Sequence, residues 1–159
     1  MRDPEQQLDD FVSEFQAAFA RLQICVETAC AAEAAWPGRV AAAIRAAFSF
    51  AAAHPDDADL LTNRALAAGR EGFERYDRML EHFAEGLRAG RGERPHGRDL
   101  PPITDRAMVG GLASLIAQRL GDRATVVQLP ALAPEAIQFV LTPYLGAESA
   151  RELAAGRRS

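Results

Sequence analysis

Two segments near the C-terminus, 104–120 and 132–145, are apolar around nearly the whole circumference of the helices that their spacing predicts. On the first, Met108, Leu112 and Leu115 share one side, while Val109, Ala113, Ile116 and Leu120 take the next. On the second, Ile137, Val140, Leu141 and Tyr144 form one stripe, with Ala136, Phe139 and Pro143 across from it. A helix on the edge of a small domain needs one apolar stripe, and a second stripe needs a second surface to cover it. The domain itself is one cover, and a second copy of the chain is the simplest source of the other. The expected interface joins Val109, Gly110, Gly111, Leu112, Ile116, Arg119 and Leu120 to Ile137, Val140, Leu141 and Tyr144. Four helices, two per chain, would cross at a two-fold axis, where one patch meets its own copy. Arg119 would reach an acid across the rim. Gly110-Gly111 costs about 1 kcal/mol per glycine against Ala inside a helix, which is tolerated where another backbone or a ligand comes close. Packing of the pair against the chain's own first helix is the alternative.

The remaining pattern is helical throughout. Asp3 is placed to cap a helix with Pro4 in its first turn. From there Leu8, Phe11, Val12, Phe15, Phe19, Leu22, Val26 and Ala29 recur at three- and four-residue steps. Unbroken to Ala35, this helix measures about 45–50 Å. Trp36-Pro37 opens a second, with Val40, Ile44, Phe48 and Ala51 inward; His54-Pro55 ends it, since a proline disfavours helical dihedrals just before it. Asp56 and Asp57 start a short helix through Leu60, Leu61 and Leu66, acids at its positive end. After Gly69 a longer helix turns Phe73, Tyr76, Met79, Leu80, Phe83 and Leu87 inward, with Glu71–Arg75 and Glu74–Arg78 as favourable pairs on its wet side. The stretch 90–102, rich in Gly, Pro and Arg, reads as a mobile loop. Thr104 caps the first of the two apolar helices and Gly121 ends it. A turn follows from Arg123 to Leu129, then Pro130 and Pro134 interrupt, and Gly146 ends the second apolar helix. A short helix runs 147–155, and Arg157-Arg158 is a frayed end. Frequent Ala and scarce Val, Ile and Thr also favour helix over strand. The fold class is all-α, a bundle of six to eight helices in a single domain spanning 1–159.

Composition narrows the function. With 48% hydrophobic and 25% charged residues in 159 positions, the chain is built to bury a core. A net charge of −4 opposes a free-standing nucleic-acid binder, which collects positive charge on one face. All 18 basic residues are Arg, spread over every segment as GC-rich coding would spread them. Apolar runs fall short of the roughly 18 residues that span a bilayer, and the acidic start is unlike a secretory signal. Cys25 and Cys30 lie about 140° apart around their helix and cannot reach each other. Unpaired thiols suit a reducing cytoplasm.

No constellation for catalysis stands out. His54, His82 and His96 are scattered without metal-ligand spacing. His54 reads as a helix-end residue, His96 as a loop residue and His82 as part of a wet flank. Gly90-Arg91-Gly92 lacks the third glycine and preceding strand of a phosphate loop. Ser49 and Ser114 lack the flanking glycines of a nucleophile elbow. Cys25, beside the apolar stripe, reads as packing or as a redox-responsive thiol. No enzyme, cofactor or metal is expected.

The opening Trp36-Pro37-Gly38-Arg39-Val40, the in-helix Gly110-Gly111 and the ending Phe139-Val140-Leu141-Thr142-Pro143-Tyr144-Leu145-Gly146 occur in that order. This succession resembles the C-terminal ligand-binding and dimerisation domain of TetR-family transcriptional repressors, over nearly the whole chain from Asp3 to about Leu153. The resemblance implies a homodimer held by a four-helix bundle, a small hydrophobic effector, and DNA contact only through an N-terminal helix-turn-helix domain. That domain is expected to be missing, because Asp3-Pro4-Glu5 resembles the stretch just after it. Truncation, a misplaced start codon and a natural sensor-only protein would each explain this. In the family, an effector favours one spacing of two DNA readers through a pendulum-like tilt of the long first helix, a population shift and no chemistry.

A small-molecule site is an apolar concavity with a few convergent polar groups. The inward stripes offer Phe19, Phe48, Leu66, Phe73, Tyr76 and Phe83 as its wall, closed by Met108 and Leu112, with Gln23, Asn63 and the Tyr76 hydroxyl as polar contacts. Met adapts its shape to different ligands. The plain alternative is that these side chains are core. A sensor-only or interaction protein that homo- or heterodimerises without DNA is the other function class.

Overall fold

Asp3 and Pro4 open the first helix as their chemistry dictates. The Asp3 carboxylate accepts from the Glu5 N–H, and Pro4 sits where its missing N–H is no loss. The computed structural model describes residues 3–93 and 95–156; the Arg157-Arg158 end and the His96 side chain lie outside the described residues. Helix α1 spans Pro4–Ala31, 28 residues or about 42 Å. It stops short of Ala35 because the chain bends there, with Ala35 extended ahead of α2 (Trp36–Ala53).

From Pro55 the backbone stays helical for thirteen residues but changes pitch. Helix α3 (Pro55–Asp59) passes into a π turn (Leu60–Arg64) and then α4 (Ala65–Ala67). Helix α5 (Gly69–Arg88) follows. The anticipated loop is partly wound, by a 3-10 turn (Ala89–Gly92) and the single-turn α6 (Pro95–Arg98). Then come α7 (Thr104–Arg119), the short α8 (Arg123–Val126), α9 (Leu129–Leu145) and α10 (Ala147–Ala154). Six of these helices have eight residues or more, and among the described residues all regular structure is helical.

Four local expectations change. Ile103, not Thr104, is the cap residue of α7, and it offers no side-chain bond. Pro130 and Pro134 do not interrupt α9: Pro130 occupies its first turn, where no N–H is needed, and Pro134 is carried inside. Gly146 ends α9 with φ +85°, a conformation other residues rarely adopt, whereas Gly121 follows α7 without one. On α5 the Glu71–Arg75 pair forms at 2.8 Å, but Glu74 pairs with Arg70 and leaves Arg78 to its backbone carbonyl.

Helix α2 is the centre of the fold, with α1 against one side and α9 against the other; α10 folds back on α9. Helices α5 and α7 pack together, and the π turn joins them to α1. The core holds Phe15, Trp36, Val40, Ile44, Phe48, Leu61, Met79, Leu80, Ile137, Val140, Leu141 and Tyr144. The inward stripe of α2 is as the spacing predicts, with Val40, Ile44, Phe48 and Ala51 all buried.

Burial overturns part of the anticipated interface. Ile137, Val140, Leu141 and Tyr144 are wholly enclosed by their own chain and offer no surface to a second copy. Periodicity grouped them on one stripe, but that stripe meets α2 and α10. The outward face of α9 is the other stripe, where Phe139 is 59% exposed beside Pro143. On α7, Val109 is buried, Leu112 and Ile116 turn inward, and Gly110, Arg119 and Leu120 are partly exposed. Gly111 faces open space, and a methyl added there would meet nothing within 4 Å, so the pair is not seated on α1.

Candidate functional site

A cavity of about 580 Å³ lies within the bundle, walled by α1, α2, α3, the π turn, α5 and α7, with Val140 of α9 at its base. Its origin is legible in side-chain size. Ala43, Ala47 and Ala51 of α2, Ala58 of α3 and Ala113 of α7 face it, and a methyl leaves space that a leucine would fill. Larger apolar groups complete the wall: Leu22, Val26, Ile44, Phe50, Leu61, Met79, Leu80, Phe83, Val109, Leu112 and Ile116. The π turn places Leu61 and Thr62 in it; wider i→i+5 turns of this kind are frequent at functional sites. The buried Thr62 hydroxyl donates to the Ala58 carbonyl at 2.7 Å.

The exposed residues of the wall are Glu27, Arg39, His82, Glu85 and Gly86, so the cavity opens between α1, the start of α2 and α5. One end of this opening is bridged. Gln23 Nε2 lies 3.3 Å from His82 Nε2, and the Phe19 ring stands edge-on to both His82 and Phe83, at 5.7 and 6.0 Å between centroids. Cys30 lines the other end, its thiol donating to the Arg39 carbonyl at 3.5 Å. Burial pushes that thiol's pKa up; Arg39 pulls it down and Glu27 raises it further.

Of the anticipated ligand contacts, Gln23, Phe83 and Leu112 line the cavity and Phe19 supports its rim. The others lie elsewhere. Phe48 is fully buried core outside the wall. Leu66 and Phe73 point outward, 47% and 55% exposed, because the π turn shifts the phase of the helix before Leu66 and Phe73 falls at the start of α5. Asn63 reaches outward, its amide donating to Asp59 and to the Ala117 carbonyl on α7. Tyr76 is half-buried outside the wall, its phenol pushed up by burial and drawn down by Arg106. Met108 belongs to a shallow surface groove with Phe139, Gln138 and Pro143. Conversely Val109, Ile116 and Val140, anticipated at an interface, are cavity wall. His82 is exposed as anticipated, but its ring is engaged at the rim.

A polar network unforeseen from sequence closes the end of the fold beside the cavity. Asp105, in the first turn of α7, is fully buried; Tyr144 donates to it at 2.6 Å and Arg91 at 2.9 Å. The Arg91 guanidinium also donates to the Leu100 and Pro101 carbonyls, at 2.6 and 2.7 Å. Arg91, Leu100 and Pro101 are thereby tied to α7 and α9. Trp36 packs against Tyr144 with the rings tilted by 57° and their centroids 5.4 Å apart, and its indole N–H donates at 2.7 Å to the carbonyl of Gly86, a wall residue. Gly90 lies against the Trp36 ring so closely that any Cβ would collide with it. An acid in a helix's first turn reads from sequence as dipole complement, so nothing local marked Asp105 as buried.

Among the described residues no group of three or more His, Cys, Asp or Glu is disposed to hold a metal ion, and no helix is long and apolar enough to cross a membrane. The arrangement is suited to enclosing an apolar molecule with a polar end at the α1–α5 opening. No family model, curated protein or solved structure matches this chain.

Proposed function

We propose that this chain is the effector-sensing and dimerisation domain of a TetR-like repressor. It binds a small, mostly apolar molecule in the cytoplasm and relays binding to a DNA-binding domain outside the chain, without chemistry of its own. The cavity carries this reading: about 580 Å³ lies within the roughly 300–1,000 Å³ typical of small-molecule sites. Its wall includes α1, so a ligand between α1 and α5 acts directly on the longest helix. A ligand that fits one tilt of α1 better than another shifts that equilibrium, with coupling commonly about 1–3 kcal/mol. Homodimerisation rests on the outward face of α7 and α9, where Phe139, Pro143, Met108 and Gly111 are uncovered to different degrees.

That same face favours a second reading, an interaction protein that pairs with itself or a relative without DNA. A neutral apolar fluorophore, N-phenyl-1-naphthylamine, separates the two. The sensor reading expects saturable one-to-one binding that Ala113→Phe, which fills the cavity, abolishes while the helical circular dichroism is kept. Absence of binding to the folded protein, or binding unaffected by Ala113→Phe, would reject the sensor and leave the interaction protein.

A further inference from the structure

We propose that the cavity selects an amphiphilic organic cation, its apolar body inside and its ammonium group at the opening between Glu27 and Glu85. The proposal rests on the sensor reading and adds the chemical class of the ligand. Glu27 comes from α1 and Glu85 from α5, so carboxylates stand on both helices that frame the opening. Among the described residues neither carboxylate has a hydrogen bond or an ion pair. Arg88, one turn beyond Glu85, feels that charge without bonding to it and is held by Glu81 at 2.9 Å and by Asp105 at 3.7 Å.

The one cation of the wall, Arg39, is held at the α1–α2 turn, its Nη1 donating to the Ala34 carbonyl at 2.7 Å. The opening therefore carries more negative than positive charge, and a cationic head compensates it. An anionic head would face two unpaired carboxylates, a juxtaposition that discriminates strongly between partners. The rim rings point the same way, since Phe19 and Phe83 border the opening and aromatic faces attract cations. Inside, the hydroxyl of Thr62 is bonded to its own helix and the remaining buried wall is hydrocarbon and the Met79 thioether, so nothing there calls for a second charge on the ligand.

Three ligands of equal chain length isolate the head group: decyltrimethylammonium, decanol and decanoate, each below its aggregation limit. The reporter is Trp36, buried and bonded to the wall residue Gly86. The expected order is cation, alcohol, anion, with the cation at least about ten-fold tighter than the anion in low salt. Glu27→Gln/Glu85→Gln, both at exposed positions, should weaken the cation about ten-fold and leave the alcohol unchanged. Ala113→Phe should abolish binding of all three. Equal or tighter binding of the anion, a cation preference that survives the double variant, or cation binding that survives Ala113→Phe would overturn the proposal. Failure of all three ligands to bind the folded protein would overturn the sensor reading with it, whereas alcohol binding without charge preference would overturn the charge selection alone.

Discussion

Truncating Asp105 tests whether the buried network holds α7, α9 and Arg91 together. Its carboxylate has no exposure and is met by Tyr144 at 2.6 Å and Arg91 at 2.9 Å, with the Arg88 guanidinium further off at 3.7 Å. Tyr144→Phe removes one donor and leaves the Arg91 pairing. A hydrogen bond to a charged group contributes about 1.5–3 kcal/mol, so the loss should be near 2 kcal/mol. Asp105→Ala leaves the Arg91 guanidinium and the Tyr144 hydroxyl facing a hole, and breaking a buried pair from one side costs about 3–5 kcal/mol. A domain of this size loses about 2–4 °C in Tm per kcal/mol, giving roughly 4–8 °C for Tyr144→Phe and 6–20 °C for Asp105→Ala. Urea unfolding followed at 222 nm, with the slope m compared between variants, measures both, and a double-mutant cycle gives their coupling. An Asp105→Ala cost under about 1 kcal/mol, against the 3–5 expected of a broken buried pair, would refute the network's structural role.

The same pair gives a pH dependence of defined sign. Burial pushes the Tyr144 phenol's pKa up, and the Asp105 hydrogen bond and charge push it further, against Arg91 and Arg88. The folded chain thus holds the phenol proton more tightly than the unfolded chain does. The stabilisation is complete below about pH 10, the ordinary tyrosine pKa, and erodes as the pH climbs above it, where the unfolded chain releases the proton first. Tyr144→Phe should lose less stability than the parent across that alkaline range; equal loss would contradict the assignment.

Gly90→Ala should cost about 1–3 kcal/mol by overpacking and shift the Trp36 emission, since the new methyl meets the indole; an unchanged spectrum and Tm would refute that contact. Gly111→Ala should stabilise a lone chain by about 1 kcal/mol through helix propensity. If a second copy's helix crosses at Gly111, the same change should weaken the dimer at least about ten-fold by sedimentation, an energy of about 1.4 kcal/mol. If the chain pairs as proposed, Phe139→Glu should yield a folded monomer at concentrations where the parent dimerises, and a dimer unmoved by it would place the interface elsewhere. Arg21→Ala removes a bidentate but solvent-facing pair with Asp57, and solvent screening should leave the Tm of this variant close to that of the parent; a large fall would refute that screening.

Helical character, the Asp3-Pro4 start of α1 and the inward stripe of α2 were all legible because each depends on residues three or four apart. The cavity was half legible. Periodicity brought Gln23, Phe83 and Leu112 inward, but the signal that mattered was the run of alanines on α2, read only as helix propensity. A gap needs a small side chain opposite another small side chain, and that pairing is fixed by how α2 and α7 face each other. Leu66 misled because the π turn moved the helix out of the regular phase on which the stripe was counted, and Phe73 because the first turns of α5 leave it exposed.

Local spacing alone therefore settled that the chain is helical, where most helices lie and which side chains share a stripe. Tertiary packing alone decided which stripe of α9 faces the core: Ile137, Val140, Leu141 and Tyr144 meet α2 and α10 and leave Phe139 outside. It also decided that Asp105 is buried, since only the fold brings Arg91 and Tyr144, 14 and 39 positions away, to one carboxylate. Hydrophobic periodicity states that a face will be covered; the covering partner is chosen by the sum of contacts across the whole bundle.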